Sequence, residues 1–531
     1  MKKLDNGKRF GAHLPMILII LDGWGLAPKS PGNAIMLSKT PNMDYLIKNY
    51  PYTRLEASGK YVGLPDEQDG NSEAGHMNIG AGRLVEQDSV RISKNISNGT
   101  FFKNPAFAEA VRHVRENDSS MHLMGMLGNE MSAHSNPDHL LALIAMLHNF
   151  GFAKVNLHLF TDGRDSPKYS AIKLINNLEH TFGDGISINT IIGRFYAMDR
   201  KKVWSRTELA YNALTSTERD KRQCREAPSA VAAITESYNR GESDEFIEPY
   251  VITKDGKPTA RIKDGDSVIF FNLRSDRARQ IAKVFVQTEF EKLNPGAFKR
   301  RIVFNNLRFV AMTDFGPDLN NILSAFPGPD LRQTLPIRLA DLSQLYIAES
   351  EKYAHVTYFF NGGYADPVAD EKRQMIASPD VRSYDETPAM SSAGLARTVI
   401  DNLKKHKFDF TVLNFAAPDM VGHTGNLTAA IKCCSLVDKQ LGLLVKAYLK
   451  VGGSLLVTSD HGNIEEMINQ KTGEIDTEHS TNKVPFILVN DSLKNKVKLE
   501  EGILGDIAPT ILDLLGREKP KEMTGKSLIK N

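Results

Sequence analysis

Asp419 and His423 stand four residues apart in Pro418-Asp419-Met420-Val421-Gly422-His423, so one helical turn or a compact loop would aim both side chains the same way. Asp460-His461-Gly462-Asn463 pairs the same residue types, and His479 lies in the polar stretch Thr477-Glu478-His479-Ser480-Thr481. Carboxylate plus imidazole, with no thiolate, is a donor set for Mn²⁺ or Zn²⁺ in an open catalytic site. An Asp-x-x-x-His pair on its own is commoner as a cap or loop bridge. It gains weight only when joined to Asp22 and Ser72.

Ser72 sits in Asp69-Gly70-Asn71-Ser72-Glu73-Ala74-Gly75-His76, a polar loop punctuated by glycine. A serine hydroxyl is a weak nucleophile until a base or a metal ion lowers its pKa. The G-x-S-x-G spacing of acyl hydrolases is missing around it, which leaves a divalent ion as the route to activation. Arginines gather elsewhere: Arg164, Arg194, Arg200, Arg274 and Arg277. Their planar forks suit bidentate capture of carboxylate and phosphate, although a lone arginine usually belongs to a surface ion pair. Lys352, in Glu351-Lys352-Tyr353, carries little signal alone.

These residues need a frame to hold them. Short runs rich in Val, Ile and Phe alternate with longer amphipathic stretches. Met16 to Leu21, Val155 to Phe160, Ile186 to Ile192, Val268 to Phe271, Phe309 to Met312, Val356 to Phe360, Phe410 to Phe415 and Leu455 to Val457 read as strands buried on both faces. Cys434, Val437, Leu441, Leu444 and Tyr448 form one helical stripe, with Gly452-Gly453 as its stop. The expected fold class is α/β with mainly parallel sheets. Asp22-Gly23, Asp162 to Asp165, Gly193-Arg194, Arg274 to Arg277 and Asp460-His461 each follow a strand, where open α/β sheets bind ligands. Any one of them could be a turn; five together point to a site.

Composition sets outer bounds. The chain has 531 residues, 41% apolar and 24% charged, with a formal charge of +2, enough for two or more domains and with no bias toward nucleic acid. Three cysteines make no disulfide framework, and the early apolar run Leu14 to Leu21 is too short to span a membrane. A cytoplasmic protein with no membrane partner is expected.

Taken together, Ile20-Leu21-Asp22-Gly23-Trp24-Gly25, the run Gly70 to Gly80, Gly193 to Arg200, Pro418 to Gly425 and Ser459-Asp460-His461-Gly462-Asn463 resemble the signatures of cofactor-independent phosphoglycerate mutases. The resemblance runs from about Met16 to the C-terminus and leaves out the segment from Met1 to roughly His13. It implies a domain of alkaline-phosphatase type, split in sequence (1–86 and 317–531), with a transferase domain inserted between its halves (87–316). It implies two divalent metal ions, Mn²⁺ by preference. Asp419, His423 and His479 would hold one, and Asp22, Ser72, Asp460 and His461 the other. The family's substrate residues map onto His134, Arg164, Asp165, Arg194, Arg200, Arg274, Arg277 and Lys352. In one place the chain departs from the pattern: where the family shows Ser-Asp-Gly-Gly-Val-His-Ser-His, it carries Gly128 to Asn136, one residue longer. His134 is matched by counting back from Asp138-His139-Leu140, and Asn136 replaces the second histidine.

The activity implied is exchange of 3-phosphoglycerate and 2-phosphoglycerate through phosphorylated Ser72, with Lys352 near the leaving hydroxyl and Asp165 as base, aided by His134. No 2,3-bisphosphoglycerate is required, and a monomer is expected. A metal-dependent phosphohydrolase or phosphopentomutase on the same scaffold, and a catalytically impaired binding relative, are the rival readings.

Overall fold

The computed structural model describes residues 14–129, 132–215, 224–316, 318–319, 321–470, 472–494 and 496–530. The segment ahead of residue 14, and Glu130 and Met131 of the loop departing from the family pattern, lie outside the described residues. The chain forms two compact units. One takes the chain up to Gln87 together with Asp330 onward, and the other is Asp88–Pro329. The second crossing falls beyond Gly316 because strand Leu323–Phe326 pairs in parallel with Arg308–Thr313 and so belongs to the inserted unit.

The first unit is built on an eight-stranded sheet. Met16–Leu21 lies at its centre, parallel to Phe410–Phe415 on one side and Ser454–Thr458 on the other. Gln344–Glu349 and Lys372–Ile376 extend it in parallel, while Val484–Val489 and Tyr52–Glu56 turn it antiparallel. The pleat explains why the central strand is apolar throughout. Met16, Leu18 and Ile20 enter one core, and Ile17, Ile19 and Leu21 enter the other. Helix Leu427–Lys450 covers the second face with Cys434, Val437, Leu441, Leu444 and Tyr448 buried, the stripe expected from the sequence. Asn426 caps it by accepting from the Ala429 amide, and Gly452 ends it at φ 73°.

The second unit repeats the plan. Met121–Leu127, Val155–Thr161, Ile186–Gly193, Ser267–Phe270 and Arg308–Thr313 are parallel neighbours. Again the residues split by parity: Val310 and Met312 enter one core, Phe309 and Ala311 the other. Among the described residues, no helix is long and apolar enough to cross a membrane.

One expectation needs correction. His355–Phe359 is a π-helical turn, not the strand read over Val356 to Phe360. The Phe360 amide donates to the His355 carbonyl at 3.0 Å, and Val356 and Phe360 are fully buried four residues apart while Tyr358 is exposed. A four-residue period buried against helix Ser72–Ala81 thus overrides β propensity. The five charged segments after strands are shared between the two sheets. Those after Met16–Leu21 and Ser454–Thr458 belong to the first sheet, and the other three to the second.

Gly80 sits where helix Ser72–Ala81 meets that turn, and a Cβ there would collide with the Phe360 carbonyl. Gly80→Ala is expected to cost about 2 kcal/mol through overpacking, read as a fall in Tm. An unchanged Tm would contradict this close approach.

Candidate functional site

In the first unit, six segments deliver polar side chains to the carboxyl ends of the central strands. Asp22 leaves Met16–Leu21 directly, Asp460 and His461 follow Ser454–Thr458, and Asp419 lies in the short helix Ala417–Gly422 after Phe410–Phe415. Lys352 ends the turn Ser350–Lys352, and His479 comes from the segment before Val484–Val489. Ser72 is the first residue of helix Ser72–Ala81, whose end is capped by the Asn71 side chain accepting from the Ala74 amide at 2.9 Å. The backbone amides and dipole at that end favour negative charge on the hydroxyl or on a group attached to it.

The resulting cluster is buried and dense. Ser72 Oγ lies 2.7 Å from Lys352 Nζ, 2.9 Å from His461 Nε2 and 3.2 Å from Asp22 Oδ1. Lys352 Nζ also donates to Asp22 Oδ1 at 2.7 Å and to Asp419 Oδ2 at 2.6 Å. Burial alone would push the Asp22 and Asp419 carboxyls up. The Lys352 ammonium, joined by His461 at Asp22 and by His423 and His479 at Asp419, outweighs it and holds both below the usual carboxylate range. Burial likewise opposes charge on Lys352, but the carboxylates of Asp22, Asp419 and Asp460 keep it protonated.

The imidazoles are arranged as metal ligands need to be. His423 Nδ1 donates to the Thr477 carbonyl at 2.7 Å and His479 Nδ1 to the Gly70 carbonyl at 2.8 Å. Each ring therefore keeps its proton on Nδ1 and turns the Nε2 lone pair inward, as a second layer around a metal centre requires. The two Nε2 atoms lie 3.1 Å apart, and 3.4 and 3.2 Å from Asp419 Oδ1. Three donor atoms thus converge on one point. Asp22, Asp419 and His461 offer a second convergent set within 4.8 Å of one another. Asp460 Oδ2 is fully buried and accepts no hydrogen bond, although His76 Nδ1 stands 3.1 Å away. An under-satisfied carboxylate oxygen beside two further carboxylates suits a divalent cation. The residues present fit such an ion.

His76 belongs to this site, and sequence reasoning did not single it out. Its Nδ1 lies 2.9 Å from the Ser72 carbonyl, and its Nε2 accepts from Asn414 Nδ2 at 3.1 Å. The same amide donates to Asp22 Oδ2 at 2.6 Å. With both nitrogens engaged, His76 orients Ser72, Asp460 and Asp22. Its spacing four residues beyond Ser72, on one helical face, was the available signal.

The second unit assembles the arginines. Arg194 is buried, pairs with Asp162, and donates to Asp165 Oδ2 at 2.8 Å. Ser132 Oγ donates to the same oxygen at 3.0 Å. Arg200 and Arg274 converge on Asp276 at 2.9 and 3.5 Å, and Arg164 faces Glu245 at 3.7 Å. Arg277 is pushed down to about 10 by burial and by the neighbouring Arg194, Arg200 and Arg164 guanidiniums, the environment of an anion site. Lys352 lies among the carboxylates of the first unit. His134 is in the arginine cluster: its buried Nδ1 has no hydrogen-bond partner and lies 4.0 Å from Asp276 Oδ1.

A family model described as the metalloenzyme superfamily matches residues 14–519. The chain is 47% identical over 522 residues to the 2,3-bisphosphoglycerate-independent phosphoglycerate mutase of Clostridium kluyveri, covering 97% of this chain and 99% of that one. It is 48% identical over 520 residues to the enzyme of the same name from Clostridioides difficile, with coverage of 97% and 99%. A solved structure of Leishmania mexicana phosphoglycerate mutase at low cobalt concentration superposes with a TM-score of 0.79 at 28% identity, over 98% of both chains.

Burial lowers His134 from 6.5 to about 4, so the unfolded chain binds its proton first as pH falls. This group therefore subtracts stability progressively from pH 6.5 down to about 4 and has no effect above that window. His134→Gln is expected to lose less stability than the parent between pH 7.5 and pH 5, by urea midpoints. Equal losses in the two proteins would contradict the neutral, buried imidazole.

Proposed function

Because the chain belongs to the 2,3-bisphosphoglycerate-independent phosphoglycerate mutases, isomerases of the metalloenzyme superfamily, we propose that it exchanges 3-phosphoglycerate and 2-phosphoglycerate through a phosphoserine at Ser72. The observation that carries this reading is the Ser72 hydroxyl, buried at a helix N-terminus within 3.2 Å of Lys352, His461 and Asp22.

In the proposed reaction Ser72 Oγ attacks phosphorus and the bond from phosphorus to the glycerate oxygen breaks. That oxygen leaves with the electron pair and takes up the proton that Ser72 gives up on attack. The other glycerate hydroxyl then gives its proton to Asp165 and attacks phosphoserine; the bond from phosphorus to Ser72 Oγ breaks, and Oγ takes back a proton, restoring Ser72. Lys352 supplies fixed positive charge beside the moving phosphoryl group, in a site where burial makes that charge count. Arg164, Arg194, Arg200, Arg274 and Arg277 hold the anionic ends of the substrate. Asp165, kept ionised against burial by Arg194, is the proposed base, with the neutral His134 beside it.

Divalent cations held by Asp419, His423 and His479 and by Asp22, Asp460 and His461 would lower the pKa of the hydroxyl and neutralise phosphoryl charge. We propose two such ions, Mn²⁺ by preference with Zn²⁺ as the alternative, and a monomer working in the cytoplasm. The buried Cys433 and Cys434, which form no disulfide, support a reducing compartment.

Ser72→Ala is expected to lower turnover by about four orders of magnitude or more while leaving Tm close to that of the parent. Quenched turnover of the parent should trap a phosphorylated peptide containing Ser72. Retained turnover in Ser72→Ala defeats the assignment, and phosphate release without isomerisation would favour a phosphohydrolase. Chelation should abolish isomerisation without unfolding the chain, with activity returning on Mn²⁺ addition. Metal-free protein, verified by elemental analysis, that still turned over would refute the role of the ion.

A further inference from the structure

Glu465 is fully buried, follows the Asp460-His461 segment and faces no cationic side chain in its hydrogen bonds. Its Oε2 accepts from the backbone amides of Gly25 at 3.0 Å and Asn463 at 2.9 Å. Its Oε1 accepts from Ser480 Oγ and from Asn482 Nδ2 at 3.0 Å. Each donor stands close in sequence to a residue of the cluster: Gly25 after Asp22, Asn463 after His461, Ser480 and Asn482 after His479.

The surrounding backbone is shaped around this carboxylate. A Cβ on Gly25 or on Gly462 would collide with it. The three segments also touch each other through the backbone. The Ile464 amide donates to the Gly23 carbonyl at 3.1 Å, and the Ser480 amide to the Gly462 carbonyl at 3.0 Å. Asn463, held by its amide, passes the restraint on by donating Nδ2 to Asp419 Oδ1 at 2.8 Å. A buried carboxylate costs a great deal of solvation, and four converging donors are what offset it here.

We infer that Glu465 is a positioning residue that clamps the segments bearing Asp22, Asp460, His461 and His479 and thereby sets the affinity of the site for divalent cations. This rests on the metal-dependent reading above. Among the described residues its hydrogen bonds go to Gly25, Asn463, Ser480 and Asn482 and not to Ser72, so it acts through the ligands. Substituting it should weaken ion binding and lower kcat at limiting metal, with KM for phosphoglycerate little changed.

The test is Mn²⁺ binding by calorimetry on the full chain as parent, Glu465→Ala, Glu465→Gln and Asp419→Ala. Outer-layer residues typically govern about 10–100-fold in metal affinity. Glu465→Ala is expected to bind about 100-fold more weakly, and Glu465→Gln about 10-fold more weakly, since one amide oxygen can accept only two of the four donors. Mn²⁺ affinity of a folded Glu465→Ala within threefold of the parent overturns the inference. If that variant does not fold, an unchanged affinity in Glu465→Gln overturns it instead. Failure of the parent itself to bind Mn²⁺ would sink the metal-dependent reading as well. Loss of binding in Asp419→Ala with none in the Glu465 variants would sink the clamp alone.

Discussion

Three carboxylates, Asp22, Asp419 and Asp460, are buried within reach of one another, and everything else in the first unit answers to their mutual repulsion. Lys352 bridges two of them directly, and His461 and His76 stand against the third. Such a concentration of negative charge out of water is unfavourable unless cations neutralise it. The protein supplies one fixed ammonium and leaves donor atoms turned inward for more. The fold thus carries a charge deficit, which suits a site built to receive multivalent positive ions and a phosphoryl group together.

Parallel sheets make this concentration feasible. Neighbouring parallel strands end on the same side, so Asp22 meets Asp419 and Asp460 although hundreds of residues separate it from them along the chain. The apolar strands, buried on both faces, keep those ends rigid. In the second unit the same device places Asp162 to Asp165, Arg194 and Arg274 to Arg277 at the ends of parallel strands of one sheet. One unit therefore presents acids and imidazoles, the other guanidiniums.

Much of this was legible in the residues. The strictly apolar strands declared a sheet covered on both faces, and the carboxylate and imidazole segments declared themselves by following strands. Other features were silent for physical reasons. Gln344–Glu349 escaped notice because its ends are polar, yet Gln344 Nε2 donates to the Pro336 and Leu339 carbonyls and so is satisfied inside the core. Lys352 gave no sign because its partner Asp22 lies 330 residues away. Glu465 gave no signal in the sequence, since the donors that justify its burial come from three separate segments. His355–Phe359 misled because its residues favour strands while its neighbours demanded a helical period.

The position of Met16–Leu21 has a consequence for how the protein is made. This strand is the middle of its sheet, yet both its partners are encoded after the entire inserted unit. At roughly 5–20 residues per second, the ribosome needs roughly 20–80 s to supply Phe410–Phe415. Throughout that interval a six-residue apolar segment and the Asp22 beyond it have no sheet to join, whereas the contiguous Asp88–Pro329 unit has all its strands before the interval ends. Nascent chains of this protein should therefore lean on chaperones that shield their N-terminal end, and translation pauses late in the message would lengthen that dependence.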